Sequence, residues 1–173
     1  MKKLLLVFAL FAGLSSFGQQ TTNQFSLNFL TPSAEYELAV GDNASVDFIG
    51  GVAFAYRHVF DESDYGVFPQ FMGQYRYYYN FKKRIKKNKN VSNNSGNYIA
   101  AVALLSSGNS VLGDLDLSSN YDGFVGPAWG LQRVYGKTFK LNLNLGLGYG
   151  FNDVDYYLAP LVGLQLGFKL GKN

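Results

Sequence analysis

The 173-residue sequence contains no cysteine and a single histidine, and after its first eighteen residues it has no apolar run long enough to cross a bilayer as a helix. Without cysteine, neither disulfides nor a lipid-modified N-terminal cysteine is open to it. Stability must then come from packing and backbone pairing, and localisation from the fold itself. With His58 alone, an imidazole-dependent site has one place to sit. A large positive charge is missing as well: the net charge of +3 falls to +1 once Lys2 and Lys3 are set aside, which argues against nucleic-acid binding by bulk charge. There is no linker, low-complexity tract or internal repeat, so the length fits one domain.

The first eighteen residues read as a segment apart. Lys2 and Lys3 form a basic start, Leu4 to Leu14 an apolar stretch too short to span a membrane, and Ser16-Phe17-Gly18 places small residues before Gln19. That is the pattern of a cleaved secretory signal at 1–18, followed by a mature domain at 19–173.

What the mature chain has in abundance is period-two alternation. In "FKLNLNLGLGYGF" the apolar Phe139, Leu141, Leu143, Leu145, Leu147, Tyr149 and Phe151 alternate with Lys140, Asn142, Asn144 and glycines. The same rule predicts eight strands, near 24–30, 34–40, 44–58, 67–81, 97–105, 121–135, 138–151 and 156–170, with no competing helical period. Pro32 cannot donate a ladder hydrogen bond, so Thr31-Pro32-Ser33 is taken as a turn between the first two strands, and the even count brings both termini to one side. The predicted fold is all-β: an eight-stranded antiparallel up-and-down barrel.

Alternation alone does not say which face is inside. The face opposite the apolar one is rich in Gly, Asn, Gln and charge, a poor coat for a soluble barrel and a good filling for a narrow polar lumen. Aromatics gather toward strand ends, at Tyr56, Tyr75, Tyr77, Tyr79, Phe81, Tyr135, Phe139, Tyr149, Phe151 and Tyr156, as girdles at two membrane interfaces require. Assigning alternate connections to opposite sides also sorts charge. One side takes Asp61, Glu62, Asp64, Asp114, Asp116, Asp122, Asp153 and Asp155. The other takes Lys82, Lys83, Arg84, Lys86, Lys87, Lys89, Lys137 and Lys172, with Asp42 the exception. The expectation is a transmembrane barrel with periplasmic termini and acidic outer loops. Its basic stretch from Lys82 to Lys89 is expected as a solvated turn beside headgroups, open to periplasmic or cell-wall contact and not to nucleic acid.

Face assignment sends Glu35, Glu37, Asp47, Arg57, Gln70, Gln74, Arg76, Gln132, Lys140, Gln165 and Lys169 into the lumen. Several fall toward the periplasmic half, which predicts a salt-bridged layer that plugs the barrel. Arg133 falls on the lipid face, so it should reach the rim beside Tyr135 or mark a bulge. In the longest outer loop Asp114, Asp116, Ser118, Asn120 and Asp122 alternate like the oxygen ligands of an EF-hand. Ser119 and Val125 stand where that motif needs glycine and glutamate, so an acidic loop without metal is the expectation. The glycines of "GLGYGF" alternate within a strand and make no dinucleotide fingerprint.

Over essentially the whole mature chain the sequence resembles the small eight-stranded outer-membrane barrels of Gram-negative bacteria, the class of the outer membrane protein A and X barrel domains. "FGQQ", "GPAWGLQRVYGKTF" and "LNLNLGLGYGF" look more specifically like the barrel-domain families of Bacteroidota-type bacteria. Many such barrels end on an aromatic residue, whereas here Phe168 is followed by Lys169 to Asn173. These families are mostly without assigned biochemistry, so the resemblance implies fold and an outer-membrane location more than a function. Taken with the face and charge assignments, the expectation is a cofactor-free integral outer-membrane monomer in contact with lipid and lipopolysaccharide, supporting envelope integrity or surface interaction. Three rivals stand beside it: a soluble lipocalin-like carrier, a narrow pore, and an outer-membrane lipid-modifying enzyme. For the last, His58, Asp61 and Ser63 are the candidates, since they are similar to the outward-facing histidine, acid and serine sites of outer-membrane acyltransferases and lipases.

Overall fold

Side chains of a β-strand point alternately to its two faces, so a period-two sequence can bury one whole face in a closed sheet. The computed structural model describes residues 20–59 and 62–171; the expected signal segment 1–18, Asp61 and Lys172 lie outside the described residues. Among the described residues the strands are β1 Gln24–Asn28, β2 Ser33–Gly41, β3 Ala44–Val59, β4 Glu62–Tyr77, β5 Asn97–Ser107, β6 Leu112–Gly113, β7 Tyr121–Tyr135, β8 Phe139–Asn152 and β9 Tyr156–Leu170, with one short helix, α1 Phe81–Lys86. Neighbours run antiparallel in the order β3-β2-β1-β9-β8-β7-β5-β4, and β4 pairs back onto β3, so eight strands close a ring. The two-residue β6 lies on the free edge of β4, against Gly66 and Val67.

Hydrogen-bonded partners can be followed round the ring through Leu27, Ala34, Gly50, Phe71, Leu105, Gly123, Phe151 and Tyr156. The circuit reaches β9 twelve residues before Phe168, the direct partner of Leu27. A stagger this large tilts the strands more steeply and opens a wider interior than the stagger of eight in the packed core of (β/α)8 barrels. At one end the β7–β8 hairpin turns on Gly136 and Lys137, both at positive φ (58° and 81°), which matches the twist of the flanking strands. We call this end, which also carries the β2–β3 turn, α1 and both described termini, the turn end; the opposite one is the loop end.

Three expectations are corrected here. Strand four begins earlier and ends at Tyr77, so Phe81 lies outside it. Phe81 is fully buried, stacked on Tyr78 at 4.7 Å, and it does not belong to the outward aromatic set. Asn80 causes the break: its carbonyl accepts from Arg84 N (2.9 Å), starting a helical turn, and its side chain accepts from Asn97 N (2.8 Å) at the start of β5. The basic run is therefore in part a helix, with Arg84 bonding the Asn90 carbonyl (2.7 Å). Finally, the lumen is not polar throughout. Its middle is a column of Ile49, Met72, Ala100, Val102, Phe124, Ala128 and Leu161, because inward parity there falls on apolar residues.

Candidate functional site

Inward parity on β2, β3, β4 and β8 brings Glu35, Glu37, Asp47, Arg76 and Lys140 into one fully buried cluster. Arg76 is its centre, with Nη2 2.6 Å from Asp47 Oδ2 and Nη1 3.5 Å from Glu35 and 3.7 Å from Glu37. Lys140 pairs with Glu35. The guanidinium also donates to Gln74 (2.9 Å) and Gln132 (3.1 Å), and its carbon lies 4.8 Å from the centre of the Tyr98 ring.

Glu37 is the other hub. Its Oε1 accepts from Ser45 Oγ and Tyr78 OH, both at 2.6 Å, and its Oε2 accepts from Gln132 (3.0 Å) and Gln24. So many donors are what a carboxylate needs to stay ionised away from water. The three carboxylates approach within 4.8 Å of one another, a spacing that suits a metal ion, but Arg76 and Lys140 already answer their charge.

The connection from Tyr78 to Gly96 folds into the turn end and stoppers it. Asn93 and Asn94, both at positive φ, are buried. Lys169 Nζ donates to Asn93 Oδ1 (3.0 Å), while Asn94 exchanges two bonds with the Thr22 backbone (2.8 and 2.9 Å). The Tyr98 hydroxyl lies 2.7 Å from Asn142 Oδ1 and 2.6 Å from Asn144 Oδ1, sharing its one proton between them. A Cβ on Gly130 would lie 2.1 Å from the Tyr98 ring, so glycine there is a packing requirement.

Of the sequence-predicted lumen set, Gln74, Gln132, Gln165 and Lys169 are also buried and Gln70 is half-buried. Arg57 departs from it: at the loop end it pairs with Asp64 (2.7 Å), with its side chain 56% exposed, because β3 and β4 rise beyond their neighbours. Tyr56, Tyr75, Tyr77, Tyr79, Tyr135, Tyr149 and Tyr156 are exposed, and Phe139 and Phe151 are partly so. Tyr79 OH accepts from Trp129 Nε1 (2.8 Å), and Arg133 is half-buried with Nη2 on Asn97 (2.6 Å).

At the loop end the β3–β4 register sets His58 opposite Ser63, with Nδ1 2.8 Å from Oγ, and Tyr56 OH bonds the same hydroxyl (3.0 Å). Asp61 lies outside the described residues, and Asp64 is taken by Arg57. The pair is an exposed cross-strand contact. His58→Ala is expected to leave the lipid A and phospholipid profiles of expressing cells unchanged, as read by mass spectrometry; loss of a modified species would make the pair catalytic.

The acidic loop does not converge. Asp116 accepts from Ser110 N (2.9 Å), Asn120 donates to Asp153, and Asp122 accepts from Ser119 (3.2 Å) and Asn152 (3.2 Å). Asp114 and Ser118 are exposed. The cluster residues that parity alone would have revealed are Tyr78, two places beyond Arg76, and Tyr98, Asn142 and Asn144.

Fold and site together define a closed antiparallel β-barrel, apolar at mid-height and stoppered at its turn end by a buried ionic network. No family model, curated protein or solved structure matches the chain.

Proposed function

We propose that the protein is a non-enzymatic integral barrel of a Gram-negative outer membrane, closed to ions, that supports envelope integrity or surface contacts. The carrying observation is an inversion of polarity. Phe54, Phe71, Leu147, Val162 and Leu164 project outward and exposed, while Glu35, Glu37, Asp47, Arg76 and Lys140 are sealed inside. In water this arrangement wastes apolar burial and desolvates charge; in a bilayer both costs change sign or shrink. Tyrosines toward both ends of the wall suit the two interfaces.

On this reading the basic turn end faces the periplasm, where α1 gains about 1 kcal/mol per nearby basic residue from anionic headgroups. The acidic loop end faces outward. Its carboxylates repel lipopolysaccharide phosphates directly, so contact runs through divalent cations. Lipopolysaccharide binding by the purified barrel is expected to fall when a chelator is added, and equal binding with and without chelator would remove the bridge. Planar bilayers test the closed lumen: the wild-type protein is expected to be electrically silent, and discrete openings would make it a pore.

A further inference from the structure

We infer that the half of the lumen above the plug receives the hydrocarbon tail of a single-chain amphiphile, such as a fatty acid, which reaches it sideways through a gap in the wall between β3 and β9. The inference rests on the membrane reading above. The gap follows from strand length. At their loop-end tip β1 and β2 stop at Asn28 and Ser33, whose partners across the wall are Gly167 on β9 and Gly51 on β3. The last backbone bonds on either side of the hairpin tip are Phe29 N to Leu166 O (2.9 Å) and Val52 N to Pro32 O (3.1 Å). From there toward the loop end, β3 keeps β4 and β9 keeps β8, and among the described residues neither has a strand on its other edge.

Open strand edges are not stable against hydrocarbon, because their N–H and C=O groups find no partner there. Here they form a polar lip on a space that solvent enters. The inward-facing Ala53, Ala55, Leu104 and Ala159 keep partial exposure, whereas the inward residues of the plug are buried. Side chains beside the gap are minimal: Ala53 and Ala55 on β3, Ala159 and Gly163 on β9. Ile49, Met72, Phe124 and Leu161 make an apolar floor, with Leu161 between Ala159 and the deeper Gly163 on β9. On the far side Phe68 and Leu115 are buried under the β5–β7 connection, held by Leu115 N to Tyr65 O (3.1 Å). The twelve-residue stagger gives the whole barrel a wider bore than a stagger of eight, in a class of eight-stranded barrels whose interiors can hold one small ligand. Gln70, Ser106 and Asp122 share inward parity at one level of this half and are half-buried, so the chamber is apolar at its floor and along β3 and β9 and polar on the side away from the gap. Such a chamber behind a polar lip at membrane depth fits a tail that leaves water while its head supplies acceptors to the edge N–H groups. The ionic plug beneath makes it a binding chamber and not a passage.

The test is photo-crosslinking of the purified protein in detergent with palmitate bearing a diazirine near its methyl end, with adducts mapped by peptide mass. Expected adducts fall on inward positions of residues 53–55 and 159–163 and disappear with excess unlabelled palmitate. They are lost in Ala55→Trp and Ala159→Trp and kept in Val162→Trp, whose side chain faces outward. Adducts confined to outward residues, or unchanged in both inward tryptophan variants, overturn the chamber. Each variant is first checked for a heat-dependent gel shift. Should a tryptophan prevent folding, Gly163→Leu takes its place, since a Cβ there meets nothing nearer than Asn144 at 3.6 Å. Failure of the membrane reading shows separately, as wild-type protein without a heat shift and outside the membrane fraction. Inward adducts on such a protein would overturn the sideways route.

Discussion

Arg76→Met is expected to destabilise the folded barrel by about 3–5 kcal/mol, the largest effect of any single luminal change. The side chain is fully buried and meets Asp47, Glu35 and Glu37, so its loss strands negative charge in a medium that cannot solvate it. The three acids do not suffer equally. Glu35 retains Lys140 and Glu37 retains four neutral donors, whereas among the described residues the only ion pair of Asp47 is with Arg76. Arg76→Met combined with Asp47→Leu should therefore recover much of the loss, because replacing a buried pair by apolar groups is far cheaper than breaking it. The measurement is the denaturant midpoint of the compact, unboiled gel band for wild type, single and double variants. A single variant as stable as wild type would show that the cluster does not hold the barrel together.

Leu145→Arg should cost about 2–4 kcal/mol in bilayers, the penalty for a cation at mid-depth on the lipid face. Leu145 lies midway along β8 between Phe139 and Phe151 and faces outward between Trp129 and Val162. Its side is already exposed, so in a water-soluble barrel the same change would move stability by no more than about 0.5 kcal/mol. Folding yield into lipid vesicles, titrated with urea, separates the two cases. A neutral result would mean that this wall does not face hydrocarbon.

Much of this architecture was legible because side-chain parity is a local property. Glu37, Asp47, Arg76 and Lys140 lie far apart in the chain, yet each sits on the non-apolar phase of its own strand, and a closed ring must bring that phase together. The aromatic run Tyr75-Tyr77-Tyr79-Phe81 misled for the same reason. It preserves the outward period past the point where Asn80 turns the backbone, so Phe81 keeps its phase in the sequence and loses it in space. Tyr78 and Tyr98 had inward parity, but as aromatic residues near strand ends they read equally well as part of an interfacial girdle. The stagger and the gap above the β1–β2 hairpin depend on which residues pair across the ring. No single strand carries that information, although Pro32 marks where the hairpin tip must fall.

The central claim is that a closed barrel stands in the membrane with its apolar face outward, and gel mobility of protein from the outer-membrane fraction, with and without boiling in SDS, tests it most directly. The account predicts an unboiled form that migrates faster than the boiled one and resists protease. Protein missing from the membrane fraction, or one mobility regardless of heating, would contradict it.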